Sequence, residues 1–507
     1  MNFSFPTFTP RVKEFDSFWN QLGEFLPLSA AAEQPIMQPE TAPETLEEPL
    51  LRSLHRLLPS ARVSISPADL YAHTGGDTYP GYLYRQNGKY LPQAVVFPQS
   101  EQEIAALMLW ASQREIHLLP WGGGTAPYYA KSQIEHPLLV VDLRYMRQII
   151  KIDEARATAQ VQGGAQWQEI EQSVEPLKLT TGQFFTSPNA TVGGRIAANT
   201  AGIKILGYGT LLDNTIQLRA VTPSGPIQAG EPIPGKPDAR AIMFGNYGIW
   251  GIITEVTLRL FRAPAEKLSL LSSFPSRGQA IEILQRILQE EYRPTAARIV
   301  GDHELALFTT RNPSRLRTFI PSPRGVPTPT ATHLIIEIEG NRDYVNLTKQ
   351  RVESILQEAE THVEVSRRPS DPKSGLWPQY QQWLQKLWEH QLLAHTLSAI
   401  VPWENLTGFL DDWEESLSSI LYATSGLAGL ALTKVYATSD HAVVETLLIG
   451  HRTKGDVHAW ENQLETIHAV VTDTKRRWDI ESNTSTLMTL AIAAAGDRLD
   501  PSRVMVR

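Results

Sequence analysis

The chain has 507 residues, more than one hydrophobic core supports, since single cores stop growing at about 250–300 residues, so at least two domains are expected. Its 46 Lys and Arg against 54 Asp and Glu leave a net charge of -8, which argues against nucleic acid as the main partner. The absence of cysteine excludes disulfides, thiolate metal sites and iron–sulfur clusters. No apolar run reaches the roughly 18 residues of a membrane-spanning helix, and MNFSFPTFTPRVKEF lacks a secretory pattern. A cytoplasmic protein is therefore expected, with peripheral membrane contact left open.

In chain order, residues 11–29 predict an amphipathic helix, with Phe15, Phe18, Trp19, Leu22 and Phe25 at helical spacing. It has too few flanking Lys and Arg to hold an anionic lipid surface, so packing on the main body is preferred. Residues 31–49, rich in Pro and Glu, read as a linker. QAVVFP (93–98) predicts a buried strand. Residues 100–115 form a helix opened by Ser100 with Glu103 three residues later, and IHLLPW (116–121) is a second strand. Gly122, Gly123, Gly124 and Thr125 therefore sit at the carboxyl end of a strand after a β–α unit, where open α/β sheets bind ligands. Consecutive amides with no side chains in the way suit a phosphate, and a tight turn explains the triplet equally well.

From Leu138 to about Arg262, LLVVDL, IIKIDE, ATAQVQGG, IQLRAVTPSG and GIITEVTLRLF read as strands, with a helix over 165–176. After Pro264, three strand–helix–strand units follow without glycine phosphate loops. They predict a second, α+β domain over 265–475, a mainly antiparallel sheet with helices on one face.

Two further glycine segments shift the balance at the triplet. In TSPNATVGGRIAANTAG (186–202), Gly193 and Gly194 lead into small residues, and in FGNYGIWGIITEVTLRL (244–260), Gly245, Gly248 and Gly251 recur every three residues. Neither the Rossmann nor the P-loop pattern fits. Together PQAVVFPQSEQEIAALM, PWGGGT, ATVGGRIAANTAG and GNYGIWGIITEVTLRL resemble the flavoprotein family of vanillyl-alcohol oxidase and p-cresol methylhydroxylase, over about 90–262. Within it, the chain is most similar to alkyldihydroxyacetonephosphate synthase and the glycolate or D-lactate dehydrogenase branch.

The resemblance implies an α+β fold: an FAD-binding domain of two subdomains over 50–264, preceded by the 1–49 helix and linker. A cap domain then spans 265–475, and 476–507 returns to the FAD domain. It implies that Trp121, Gly122, Gly123, Gly124, Thr125 and Ala126 wrap the pyrophosphate of FAD. Phe185, Thr186, Ser187, Pro188, Asn189, Ala190, Thr191, Gly193 and Gly194, with Ala198, Asn199, Thr200 and Ala201, would line the flavin and ribityl chain. Tyr247, Gly248, Gly251, Ile252 and Ile253 would reach the adenine or flavin through backbone groups. With no cysteine, and no histidine in GGGT, noncovalent FAD is expected.

The catalytic side departs from the family. DIESNTSTLM (479–488) carries no histidine where relatives have a histidine-rich motif, and Asn246-Tyr247 replaces a common Ser-Glu. Proton-acceptor candidates are Tyr436, favoured by family position, with His395 and His303. Each residue type is more often a packing residue. Lys434 and Arg298 suit an anionic substrate, although strand Lys and Arg are mostly solvated. His451 and His458 lack a third ligand at metal spacing, so no metal site is expected. The aromatic run 377–388, with Trp377, Tyr380 and Trp388, reads as a core or interface helix before a pocket roof. The leading reading is an FAD-dependent oxidoreductase acting on a small hydroxylated, acidic substrate. A redox-neutral synthase-like transferase and a flavin-binding protein without turnover stay open, as does a homodimer.

Overall fold

The computed structural model describes residues 44–58, 62–74, 91–125, 137–183, 189–231, 234, 238–301, 332–359, 361, 363–366, 392–423, 430–451 and 457–480. The helix expected over 11–29, the aromatic run 377–388 and everything beyond Ile480 lie outside them. Among the described residues the chain divides into two compact units, one ending at Pro264 and the other starting at Ala265.

The first unit begins earlier than expected. Leu46 is buried, and α1 (Glu48–Leu57) starts within the stretch read as linker, with Pro49 in its first turn where no amide is needed. Then come β1 (Arg62–Ser64), α2 (Pro67–Ala72), β2 (Ala94–Phe97), α3 (Glu101–Ser112), β3 (His117–Trp121) and β4 (Leu138–Asp142). Ser100 caps α3 by accepting from the Glu103 amide, and the Glu103 carboxylate accepts from the Gln99 amide at 2.8 Å. The strands form a sheet in the order β1-β2-β4-β3, with β2, β4 and β3 parallel and β1 antiparallel.

Successive residues of these strands bury on opposite faces. Ala94, Val96, Leu118, Leu139 and Val141 pack with Ile104, Leu107 and Met108 of α3. Val95, Phe97, Leu119, Trp121 and Val140 pack with Leu70 of α2. Coverage on both sides is what turns these strands into continuous apolar runs.

The rest of this unit is β5 (Ile149–Asp153), β6 (Thr158–Gln162), α4 (Trp167–Val174), β7 (Leu179–Thr180), α5 (Val192–Ala197), α6 (Ile205–Tyr208), β8 (Thr215–Thr222), β9 (Gly225–Ala229), β10 (Ile252–Arg259) and β11 (Phe261–Arg262). An antiparallel sheet runs β5-β6-β10-β8-β9, and β7 and β11 form a short ribbon. Trp167, Ile170 and Val174 of α4, with Val192 and Ile196 of α5, bury against Val161, Leu218, Ile253 and Val256.

The second unit holds one seven-stranded antiparallel sheet. Its elements are β12 (Glu266–Phe274), α7 (Arg277–Leu288), β13 (Ala296–Gly301), β14 (Thr332–Gly340), α8 (Arg342–Glu358), β15 (Val363–Ser366), β16 (Leu392–Pro402), α9 (Leu406–Ala423), β17 (Leu430–Ala437), β18 (His441–His451) and α10 (Val457–Arg477). The strand order is β15-β12-β14-β13-β17-β18-β16. Arg351 on Glu290, Arg286 on Glu358, Arg277 on Glu414 and Arg477 on Asp412 join the helices side by side. The layer covers the face that carries Thr446, which accepts from the buried Trp413 indole at 2.8 Å.

Candidate functional site

Three glycine segments meet in the first unit. β3 ends at Trp121, in register with Asp142 of β4, and Gly122–Thr125 follow, with Gly124 at φ +64°. A Cβ on Gly122 would land on the Thr191 side chain, and one on Gly123 on the Asn189 carbonyl. The first loop therefore lies backbone to backbone on residues 189–191, a contact only glycine permits. Among the described residues nothing accepts a hydrogen bond from the amides of Gly122, Gly123, Gly124 or Thr125, which are all partly buried. Partly buried donors without acceptors, grouped on one turn, form a cradle for an anion.

The second segment contains helix α5. Thr191 caps α5 by accepting from the Gly194 amide at 3.2 Å, and the Gly193 amide donates to the Gly163 carbonyl at 2.8 Å. Close packing onto Gly163 accounts for Gly193.

The third segment folds onto the end of α5. The amides of Gly245 and Tyr247 donate to the carbonyls of Ile196 and Ala197. Tyr247 adopts φ +51°, rare for an aromatic residue, and its ring stays half-exposed. Buried Asn246 holds that turn, donating to the Ile242 carbonyl at 2.8 Å and accepting from the Gly248 amide at 2.7 Å. A Cβ on Gly248 would strike Pro120 of β3, so this turn also abuts the first. The amides of Tyr247, Gly248 and Gly251 already donate within the protein. Ile252 and Ile253 are paired with β8.

Beneath the first loop, buried Asp142 and His73 form with half-exposed Arg144 a cluster that sequence reasoning did not find. Asp142 accepts from His73 Nε2 at 2.8 Å and from Arg144 Nε at 2.8 Å. Burial alone would raise the Asp142 carboxyl, but the hydrogen bonds from His73 and Arg144 outweigh it and hold the carboxyl below its usual range. The His73 ring stands 5.2 Å from the Trp121 ring, and His73 Nδ1 faces the Asp69 carbonyl at 2.6 Å. These residues buttress the strand end from which the glycine turn leaves.

In the second unit, Arg298 and Tyr436 are cross-strand partners on β13 and β17. Lys434 lies two residues before Tyr436, so all three share the sheet face opposite Thr433 and Thr446. Lys434 and Arg298 are 1% and 4% exposed, which corrects the expectation of solvated strand cations. Lys434 Nζ pairs with Glu445 at 2.8 Å and stands 5.7 Å from the Tyr436 ring centre, while Arg298 Nη2 lies 3.4 Å from Glu337. Ser273 and His333 Nδ1, on the same face, are 2.9 Å apart.

Several expected site residues fall outside the described residues: Ala126, Phe185, Thr186, Ser187, Pro188 and His303, together with the side chains of His395, His451 and His458. Among the described residues no cluster of His, Asp and Glu could hold a metal, and no helix is long and apolar enough to cross a membrane.

The donor set fits a dinucleotide diphosphate, and comparison with known proteins agrees. Residues 92–230 match the model of the FAD binding domain, and residues 263–472 match that of FAD linked oxidases, C-terminal domain. A D-2-hydroxyglutarate dehydrogenase of Stutzerimonas stutzeri (strain A1501) is 27% identical over 62% of this chain and 65% of its own length. The chain thus spans less than two thirds of that relative. A solved alkyldihydroxyacetonephosphate synthase superposes with a TM-score of 0.77 at 19% identity, covering 97% of this chain and 91% of that one. p-Cresol methylhydroxylase with substrate bound superposes at 0.69 and 12% identity, over 90% and 94% of the two chains. The chain thus carries an FAD binding domain over 92–230 followed by an FAD linked oxidase C-terminal domain over 263–472, on a fold shared with p-cresol methylhydroxylase.

Proposed function

We propose that the protein is an FAD-dependent oxidoreductase that oxidises a small hydroxylated acid, with the flavin held noncovalently. The observation that carries this reading is the run of four amides, Gly122 to Thr125, without acceptors among the described residues at the carboxyl end of a parallel strand. They would hold the diphosphate, with Trp121 and Ala126 flanking. Residues 185–191, 193–194 and 198–201 would line the flavin and its ribityl chain. Since the amides of Tyr247, Gly248 and Gly251 are engaged, contacts from these residues would run through carbonyls and side chains.

When bound, FAD supplies a hydride acceptor. The chain's part is to place the substrate and take its proton. Arg298 and Lys434, held rigid by Glu337 and Glu445, present charge suited to a carboxylate. Tyr436 stands between them on the same face and is the proposed proton acceptor. An acidic substrate also accords with the name of the 27% identical relative, D-2-hydroxyglutarate dehydrogenase.

The test is anaerobic reduction of the flavin-loaded protein by a panel of 2-hydroxy acids, followed at the visible flavin band. Bleaching by at least one acid, and none by the matching uncharged alcohol, is expected. An unchanged spectrum with every acid would overturn the oxidoreductase reading and favour a redox-neutral or non-catalytic flavoprotein.

A further inference from the structure

Gln183 lies just after β7, is 6% exposed, and has a side-chain oxygen without a partner among the described residues. Its amide orientation is fixed, because Nε2 donates to the Gly209 carbonyl at 2.8 Å. That carbonyl belongs to a clamped turn. Asn214 Nδ2 donates to the carbonyls on either side, Tyr208 at 2.7 Å and Thr210 at 2.9 Å, and Asp213 accepts from the Thr210 amide and hydroxyl. The backbone of Gln183 is held as well. Gly182 sits at φ +70° against the Tyr208 ring, and the Thr181 hydroxyl is fixed between Trp167 and Glu171. Oε1 is thus an oriented acceptor, out of water, with no donor.

Buried acceptors are rarely left so, and such an atom marks the place of a group that belongs there. A resident cofactor meets the need permanently, whereas a substrate would leave the oxygen bare after each turnover. In sequence Gln183 stands six residues before Asn189, and Gly122 and Gly123 pack on Asn189–Thr191. The isoalloxazine ring carries one N–H, at N3, and once buried it has to find an acceptor. Ribityl hydroxyls can instead pair with water or with one another. We infer that Gln183 is a flavin-binding residue, its Oε1 accepting from flavin N3–H. The inference rests on the FAD reading above.

Full-length apoprotein is titrated with FAD and with 3-methyl-FAD, which lacks that hydrogen, following quenching of flavin fluorescence. Gln183→Leu is expected to weaken FAD binding by about tenfold or more, the usual consequence of a lost buried hydrogen bond. Wild type should bind 3-methyl-FAD more weakly than FAD by a similar factor, and Q183L should bind the two alike. Equal binding of FAD and 3-methyl-FAD by wild type would overturn the assignment, as would a folded Q183L with the wild-type constant. Should Q183L fail to fold, the wild-type pair of titrations decides. Failure of wild type to take up FAD at all would overturn the proposed function and this assignment with it.

Discussion

At the carboxyl end of β3 the first unit offers four backbone amides, while one face of the second unit's sheet keeps the charged side chains of Arg298 and Lys434 out of water. The amide turn needs no particular side chain, only the absence of Cβ atoms at the positions that lie on residues 189–191. That sheet face is the reverse: its backbone is ordinary antiparallel ladder, and its chemistry lies in pairings between β13, β14, β17 and β18. The difference suits two tasks. On the proposed function, amide dipoles would grip a diphosphate common to every bound FAD, and side chains, which evolution can exchange singly, would select the substrate.

The comparison breaks most sharply at Gly123. In Gly123→Val the new Cβ falls on the Asn189 carbonyl and the turn must move. Apparent FAD affinity should drop at least about a hundredfold, from loss of two or more hydrogen bonds to a charged group at about 1.5–3 kcal/mol each. Equilibrium dialysis checks this, and retained binding would separate the glycines from the diphosphate. Arg298→Met tests the other side. Flavin reduction by the acidic substrate should slow about a hundredfold in stopped flow while FAD affinity stays at the wild-type value. A loss of FAD instead would assign Arg298 to the cofactor.

How much of this was legible follows the same division. Glycine runs are visible in a linear sequence, so the amide turn and its strand could be placed directly. The cap of α3 was equally local, since Ser100 and Glu103 lie three residues apart. Helix α5 was hidden because VGGRIA has poor helix propensity; the Thr191 cap and the packing of Gly193 on Gly163 make it helical. Strand β18 and helix α10 were not placed, although HAVVETLLIGH is rich in the β-branched residues that strands favour. Without β18 there was no Glu445 opposite Lys434, and an unpaired strand lysine reads as solvated. The Asp142–His73 contact joins residues 69 positions apart and left no signal at all.

Two smaller effects sharpen the contrast. Lys434→Met leaves Glu445 without its buried partner and should cost about 2–3 kcal/mol, below the range for fully buried pairs because Glu445 is partly exposed. The double variant K434M/E445L should recover most of that in urea melts, whereas a purely additive loss would deny the pairing. Asp142→Asn tests the buttress below the amide turn. A carboxyl held below its usual range adds stability above the unfolded value of about 4, and loses it as pH falls through the lowered folded value. Wild type should therefore exceed D142N by about 1–2 kcal/mol at neutral pH, with the gap closing below about pH 4. A gap that persists into strong acid would show that the ionised carboxylate is not its source.

The most direct measurement of the central claim compares FAD with riboflavin, which shares the ring and ribityl chain but lacks the diphosphate and the adenosine beyond it, in titrations of the same apoprotein. If the Gly122–Thr125 amides grip the diphosphate, FAD should bind at one equivalent and at least about a thousandfold more tightly than riboflavin, the sum of several charge-assisted hydrogen bonds. Equal affinity for the two, or no uptake of either, would contradict the account.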